Sequence, residues 1–163
     1  MNRRLEEFLA SRLARYEVVA HPDAFTAQEQ AALAHTSGWS WAKAVVVKTP
    51  DRFVLAVLPA PRVIELGRLT GLIGRGPIAL ASLEELLRLA PDCEPGAIPP
   101  FGSLFGLATL ADQDLVNQPE LVMPAGDRRT AIRMRATEFV RLAAPRVGRF
   151  AVQETSAASR PGA

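Results

Sequence analysis

Ala42-Lys43-Ala44-Val45-Val46-Val47-Lys48-Thr49-Pro50-Asp51-Arg52-Phe53-Val54-Leu55-Ala56-Val57-Leu58 is the stretch on which the reading of the fold turns. Two Val/Leu-rich runs, 42–49 and 52–58, are split by Pro50-Asp51, a pair suited to a tight turn. Each run is too short for a stable buried helix and rich in β-branched residues, so the pattern predicts two antiparallel strands. Side chains alternate along a strand, which puts Lys43 on a face with Val45 and Val47 and leaves Ala44, Val46 and Lys48 on the other. Both faces are largely apolar, as for a strand covered on both sides.

Moving towards the N-terminus, Trp39 and Trp41 flank Ser40, and Thr26-Ala27-Gln28-Glu29 has the form of a capping box opening a helix to about His35. Tyr16 to Ala20 reads as a short strand that stops at His21-Pro22, and Leu5, Phe8, Leu9 and Leu13 give the first 15 residues a helical apolar stripe. Towards the C-terminus, Pro61 with Val63, Leu66 and Leu69 predicts a helix to about Gly71, and Ile78–Ala81 a short buried strand. Ser82-Leu83-Glu84-Glu85 is a second capping box, opening a helix that stops before Pro91. Residues 91–102 form a loop stiffened by Pro95, Pro99 and Pro100. Strands at Leu104–Leu110, Leu121–Met123 and Thr130–Arg135 follow, then a helix from Thr137 to about Ala143. Short strands interleaved with helices predict a single α+β domain over residues 1–150 with a mixed sheet, and residues 151–163 are assigned to a disordered tail.

At 163 residues the chain suits one core, and no apolar run reaches the length of a membrane span or a secretion signal. No membrane association and a cytoplasmic location are the expectation, with which a lone cysteine, Cys93, agrees. A net charge of +2 gives no strong polyanion-binding field. Of the 19 basic residues only Lys43 and Lys48 are lysine, which makes each of them worth a separate question.

Lys43 has two readings. It is a cation that meets a phosphate or polarises a carbonyl, or it is a strand residue whose stem packs while its head reaches water. The loop Gly96-Ala97-Ile98-Pro99-Pro100-Phe101-Gly102 is likewise either a rigid crossover or a presenter of backbone N–H groups to a carbonyl or oxyanion. Lys48 reads as a solvated strand end. Arg129, Arg133 and Arg135 form either a solvated face or a patch that steers a nucleic-acid backbone. Trp39 and Trp41 either pack or stack on a base. There is no nucleophile elbow, phosphate-binding loop, dinucleotide fingerprint or zinc spacing, so no metal or cofactor is expected. The loop gives Cys93 no neighbouring base, which argues against a thiol nucleophile.

The Thr-Ala-x-Glu helix start, the Ala-Lys entering a Val-rich strand, the Gly-x-x-x-Pro-x-Gly loop, a strand ending near Asp112 and the turn Ala125-Gly126 occur in that order. Together they resemble the YbaK-like family, the editing domain also found inserted in bacterial prolyl-tRNA synthetases, over roughly residues 16–145. The resemblance implies a mixed, mostly antiparallel, barrel-like sheet with peripheral helices. It also implies free-standing hydrolysis of mischarged aminoacyl-tRNA without metal or protein nucleophile. Mischarged aminoacyl-tRNA would be the partner, with an aminoacyl-tRNA synthetase as a second. Lys43, Gly96, Pro100 and Gly102 are then the catalytic positions, and Ala97, Ile98, Pro99, Phe101, Ala44, His21 and Asp112 the substrate contacts. Ala44 stands where family members carry Asn or Thr, which leaves the amino acid open. The alternative is a module that binds aminoacyl-tRNA or a synthetase without turnover.

Overall fold

Ten strands and six α-helices alternate along residues 1–154, the part that the computed structural model describes. The first third holds α1 (Arg3–Ser11), β1 (Glu17–Ala20), α2 (Ala27–Leu33), β2 (Ala42–Lys48) and β3 (Phe53–Pro59). The middle holds β4 (Arg62–Ile64), α3 (Leu66–Ile73), β5 (Ala79–Leu80), α4 (Leu83–Leu89) and β6 (Ala108–Asp112). Then come α5 (Gln113–Val116), β7 (Glu120–Pro124), β8 (Thr130–Arg135), α6 (Ala136–Ala143), β9 (Arg146–Gly148) and β10 (Ala151–Gln153).

The hairpin of β2 and β3 is the centre of a five-stranded sheet ordered β5-β2-β3-β6-β9, in which β3–β6 and β6–β9 are parallel and the other pairs antiparallel. A three-stranded antiparallel sheet, β1-β8-β7, meets it where Trp41 bridges Val122. A short antiparallel ribbon pairs β10 with β4. This is the α+β domain with a mixed, mostly antiparallel set of sheets that the sequence predicts.

Alternation along β3 explains why its run is almost wholly apolar. Leu55 and Val57 enter the main core with Leu5, Leu9, Phe101, Leu121, Ile132 and Phe139, whereas Val54, Ala56 and Leu58 enter a second core with Leu69, Leu110 and Phe150. Each such side chain contributes about 1.5–3 kcal/mol by leaving water. Val45 and Val47 of β2 pack in the second core, and Ala44 and Val46 in the main one, as the spacing predicts. Of the helix starts, Thr26 accepts the Glu29 amide, and Ser82 and Glu85 form the full reciprocal capping box.

Several expectations are corrected. Residues 62–64 form β4 rather than helix, because β-branched Val63 and Ile64 find a partner in β10; the helix starts at Leu66 under a Glu65 cap. The strand at 79–80 is exposed, not buried, with Leu80 lying on the edge beside β2. Gly102–Phe105 is a 3₁₀ turn, so the next strand begins only at Ala108. Residues 151–153, assigned to the tail, are β10; positions 155–163 lie outside the described residues. No helix among the described residues is long and apolar enough to cross a membrane.

Candidate active site

Lys43 leaves β2 on the side of the second core, but near the strand's beginning, where that core runs out. Its half-buried stem carries the ammonium to the chain reversal between β3 and β4. There Nζ donates to the Ala60 carbonyl at 3.1 Å and the Arg62 carbonyl at 2.7 Å. Burial lowers the lysine's pKa from its ordinary 10.5, and the field of Glu154 partly offsets this. None of the ion pairs among the described residues uses Lys43. Two carbonyl dipoles orient the cation without neutralising it, so its charge remains available to an incoming oxygen.

Two cavities reach the lysine. One, of about 470 Å³, is bounded by Thr26, Ala27, Gln28, Lys43 and Ala60. The other, of about 250 Å³, is apolar, with Lys43, Val45, Leu58, Val63, Ile64, Leu66 and Leu80 in its wall. The first turn of α2 therefore sits beside the ammonium. That same segment touches the 96–102 loop. A Cβ on Gly96 would stand 3.0 Å from the Phe25 carbonyl, and the buried Gln30 side chain donates to the Gly96 carbonyl at 3.1 Å. Lysine and loop thus both adjoin the start of α2, and neither cavity of Lys43 is walled by residues 96–102.

The loop is rigid for reasons beyond its prolines. Gly96 takes φ +83°, a left-handed conformation that favours glycine. Ala97 donates to the Glu94 carbonyl at 3.0 Å and accepts from the Gly126 amide at 2.9 Å, which ties the loop to the Ala125-Gly126 turn. The Gly96, Ile98 and Phe101 amides donate to nothing among the described residues; of these Gly96, which is exposed, and Ile98 lie in the half of the loop nearest α2. The buried side chains of Ala97, Ile98, Pro99 and Pro100 leave backbone as the part of the loop with bonding capacity to offer.

Other expected site residues have different roles. Phe101 is fully buried between Phe8 and Phe139, with ring centroids 5.5 and 5.7 Å away, and is a core residue rather than a substrate contact. Gly102 is needed for close approach: a Cβ there would collide with the Leu107 carbonyl and the Thr109 hydroxyl, which accepts its amide at 2.9 Å. Asp112 is also a correction, since the residue is buried and its carboxylate already accepts three backbone amides. Oδ1 accepts the Asp114 amide and Oδ2 those of Phe150 and Ala151, which fastens β10 to the end of β6. Ala44 points away from Lys43 and packs against the main core.

His21 is buried against Trp41, rings edge-on at 6.0 Å, and walls neither cavity of Lys43. Its Nδ1 lies 2.8 Å from the Pro22 carbonyl; a carbonyl only accepts, so Nδ1 carries a proton, and Nε2 has no partner among the described residues. Burial pushes the Cys93 thiol up to about 11, which keeps it protonated and unreactive at neutral pH. Among the described residues no three or more His, Cys, Asp or Glu side chains gather as a metal site. Sequence reasoning missed the Ala60 and Arg62 carbonyls and gave Thr26–Gln28 only a capping role. The carbonyls carry no side-chain signal, but the helix start was visible as a motif.

A model of the aminoacyl-tRNA editing domain family matches residues 21–142. No curated protein matches the chain by sequence. A candidate trans-editing enzyme for prolyl-tRNA synthetase is similar at 27% identity and TM-score 0.82, over 94% of this chain and 96% of that one. A hypothetical protein is similar at 19% identity and TM-score 0.82, over 91% and 99%. A scaffold protein used for epitope grafting is similar at 23% identity and TM-score 0.81, over 94% and 96%. The last two likenesses bear on fold alone.

Proposed function

This chain belongs to the aminoacyl-tRNA editing domain family, and from that premise we propose that it is a free-standing hydrolase of mischarged aminoacyl-tRNA. The observation that carries the proposal is the Lys43 ammonium. It is half-buried, aimed by two carbonyls and paired with no carboxylate among the described ion pairs, and it stands at a cavity beside the start of α2. A cation in that state suits the phosphate or ester oxygen at the aminoacyl end of a tRNA. At the same helix start, the spare amides of Gly96 and Ile98 are donors for the ester carbonyl as it becomes an oxyanion.

In this reading water, oriented by the free hydroxyl of the terminal ribose, attacks the ester carbon. The acyl–oxygen bond to the ribose breaks, the ribose oxygen takes up a proton, and the amino acid leaves as its carboxylate. The ester is already activated, so holding it against the attacking oxygen and stabilising the developing charge supplies the acceleration. Lys43 and the loop position and polarise; neither forms a covalent bond.

The test is release of amino acid from a panel of mischarged tRNAs by the purified protein. Hydrolysis of at least one pair above the buffer rate supports the enzyme. Tight, salt-dependent tRNA binding with no release on any pair would replace it with the binding-module reading.

A further inference from the structure

The exposed indole of Trp39 is not absorbed by the chemistry above, and its surroundings are ordered rather than loose. Trp39 lies in the 3₁₀ turn Gly38–Ser40, whose start is capped by the Ser37 hydroxyl. The turn is bolted to the β3–β4 reversal: the Ala60 amide donates to the Gly38 and Trp41 carbonyls at 3.2 and 3.1 Å. Trp41 from the same segment is fully buried, whereas Trp39 remains 41% exposed. An indole left in water by a fixed backbone forgoes the burial energy that its neighbour gains.

The Arg62 guanidinium lies over the Trp39 ring, with Cζ 4.8 Å from its centroid. A ring has two faces and the guanidinium takes one. Arg62 belongs to none of the ion pairs among the described residues, and its Nε is buried there without a partner. The carbonyl of this same residue holds the Lys43 ammonium at 2.7 Å. A flat ring, a guanidinium without a carboxylate and the oriented lysine thus follow one another along a single rigid reversal.

We propose that Trp39 and Arg62 form a subsite for the single-stranded 3′ end of tRNA, with one base stacked on the exposed part of the indole and the guanidinium meeting an adjoining phosphate. The inference rests on the editing reading and adds the anchor that would bring the ester to Lys43. Stacking on an aromatic face is tolerant of base identity, and a guanidinium matches phosphate geometry with two donors. Both suit an end common to all tRNAs.

The experiment compares wild type with Trp39→Ala, Trp39→Phe and Arg62→Ala, substitutions that leave the Arg62 carbonyl in place. Two readouts are used: kcat and KM for a mischarged tRNA, and Kd for uncharged tRNA against the same tRNA trimmed of its 3′-terminal CCA. In wild type and Arg62→Ala, quenching of the exposed Trp39 adds a signal of binding; the Trp39 variants are followed by a label on the tRNA. For Trp39→Ala we expect KM and the Kd for intact tRNA to rise roughly 5- to 150-fold, with kcat held within about threefold and no change for trimmed tRNA. Trp39→Phe should recover most of the loss.

Equal weakening for intact and trimmed tRNA, or no weakening, overturns the proposal. So does a fall in kcat that follows a fall in Tm. If wild type hydrolyses a mischarged tRNA and Trp39→Ala behaves like it, the subsite falls and the deacylase stands. If wild type hydrolyses nothing yet binds intact tRNA more tightly than trimmed through Trp39, the deacylase falls and the subsite stands.

Discussion

Lys43→Met tests the centre of the proposed mechanism, because it keeps an unbranched stem and removes only the ammonium. A hydrogen bond from a charged donor is worth about 1.5–3 kcal/mol, and each 1.36 kcal/mol is a decade in rate. If the ammonium meets a substrate oxygen in the transition state, kcat/KM should therefore drop roughly 10- to 150-fold. The stability effect should be small because two contributions oppose each other. The Ala60 and Arg62 carbonyls lose donors, at about 1 kcal/mol each, while the fold no longer buries a charge, a cost that appears as the lowered lysine pKa. The Ala60 carbonyl also borders a cavity of about 470 Å³, in which water can replace the ammonium. The net change should stay within about 1 kcal/mol, or about 2–4 °C in Tm. The assay is release of amino acid from the most reactive mischarged tRNA, with thermal unfolding followed in parallel. Activity retained within threefold would refute the role given to Lys43. A Tm fall large enough to explain the lost activity would show the lysine to be a structural pin.

Gly96→Ala should cost about 1–2 kcal/mol through its left-handed φ of +83°, and should reduce deacylation further than its Tm loss explains, because the new methyl presses on the Phe25 carbonyl beside the site. Asp112→Asn sets an amide NH₂ against backbone N–H donors that now share a carboxylate; Tm should fall by roughly 4–12 °C, with unchanged kcat at a temperature where the variant is folded. Glu85, Asp92 and Glu138 are each held down to about 2, chiefly by the Ser82 amide, the Arg4 guanidinium and the Arg141 guanidinium respectively. Folded-state values below the unfolded ones mean stabilisation that is complete above about pH 5 and lost as pH falls through about 2; Tm measured across that range should be flat and then decline.

Much of the architecture was legible because its causes are local. The β2–β3 hairpin follows from two β-branched runs around Pro50-Asp51, and the starts of α2 and α4 follow from Thr26 and Ser82 as caps. Strands without such causes were missed. β4, β9 and β10 have three residues each and exist through their partners, so Val63-Ile64 looked like a continuing helix and Ala151–Gln153 like tail. Asp112 was named a site residue only through its place in the family pattern; three amides, one two residues on and two 38 and 39 residues away, give it a structural role instead.

At the site the division is similar. The amino-acid sequence by itself determined that Lys43 enters a strand apolar on both faces, that its side chain is opposite Ala44, and that residues 96–102 are stiff. Alternation and fixed φ angles are properties of neighbouring residues and need no fold. Only the tertiary structure decided that the ammonium is aimed by the Ala60 and Arg62 carbonyls, and that the start of α2 adjoins both it and the loop. The same holds for Trp39, left open where Trp41 is buried. Backbone acceptors are alike at every residue, and which of them meets a given side chain depends on where the β3–β4 reversal brings the chain back through space.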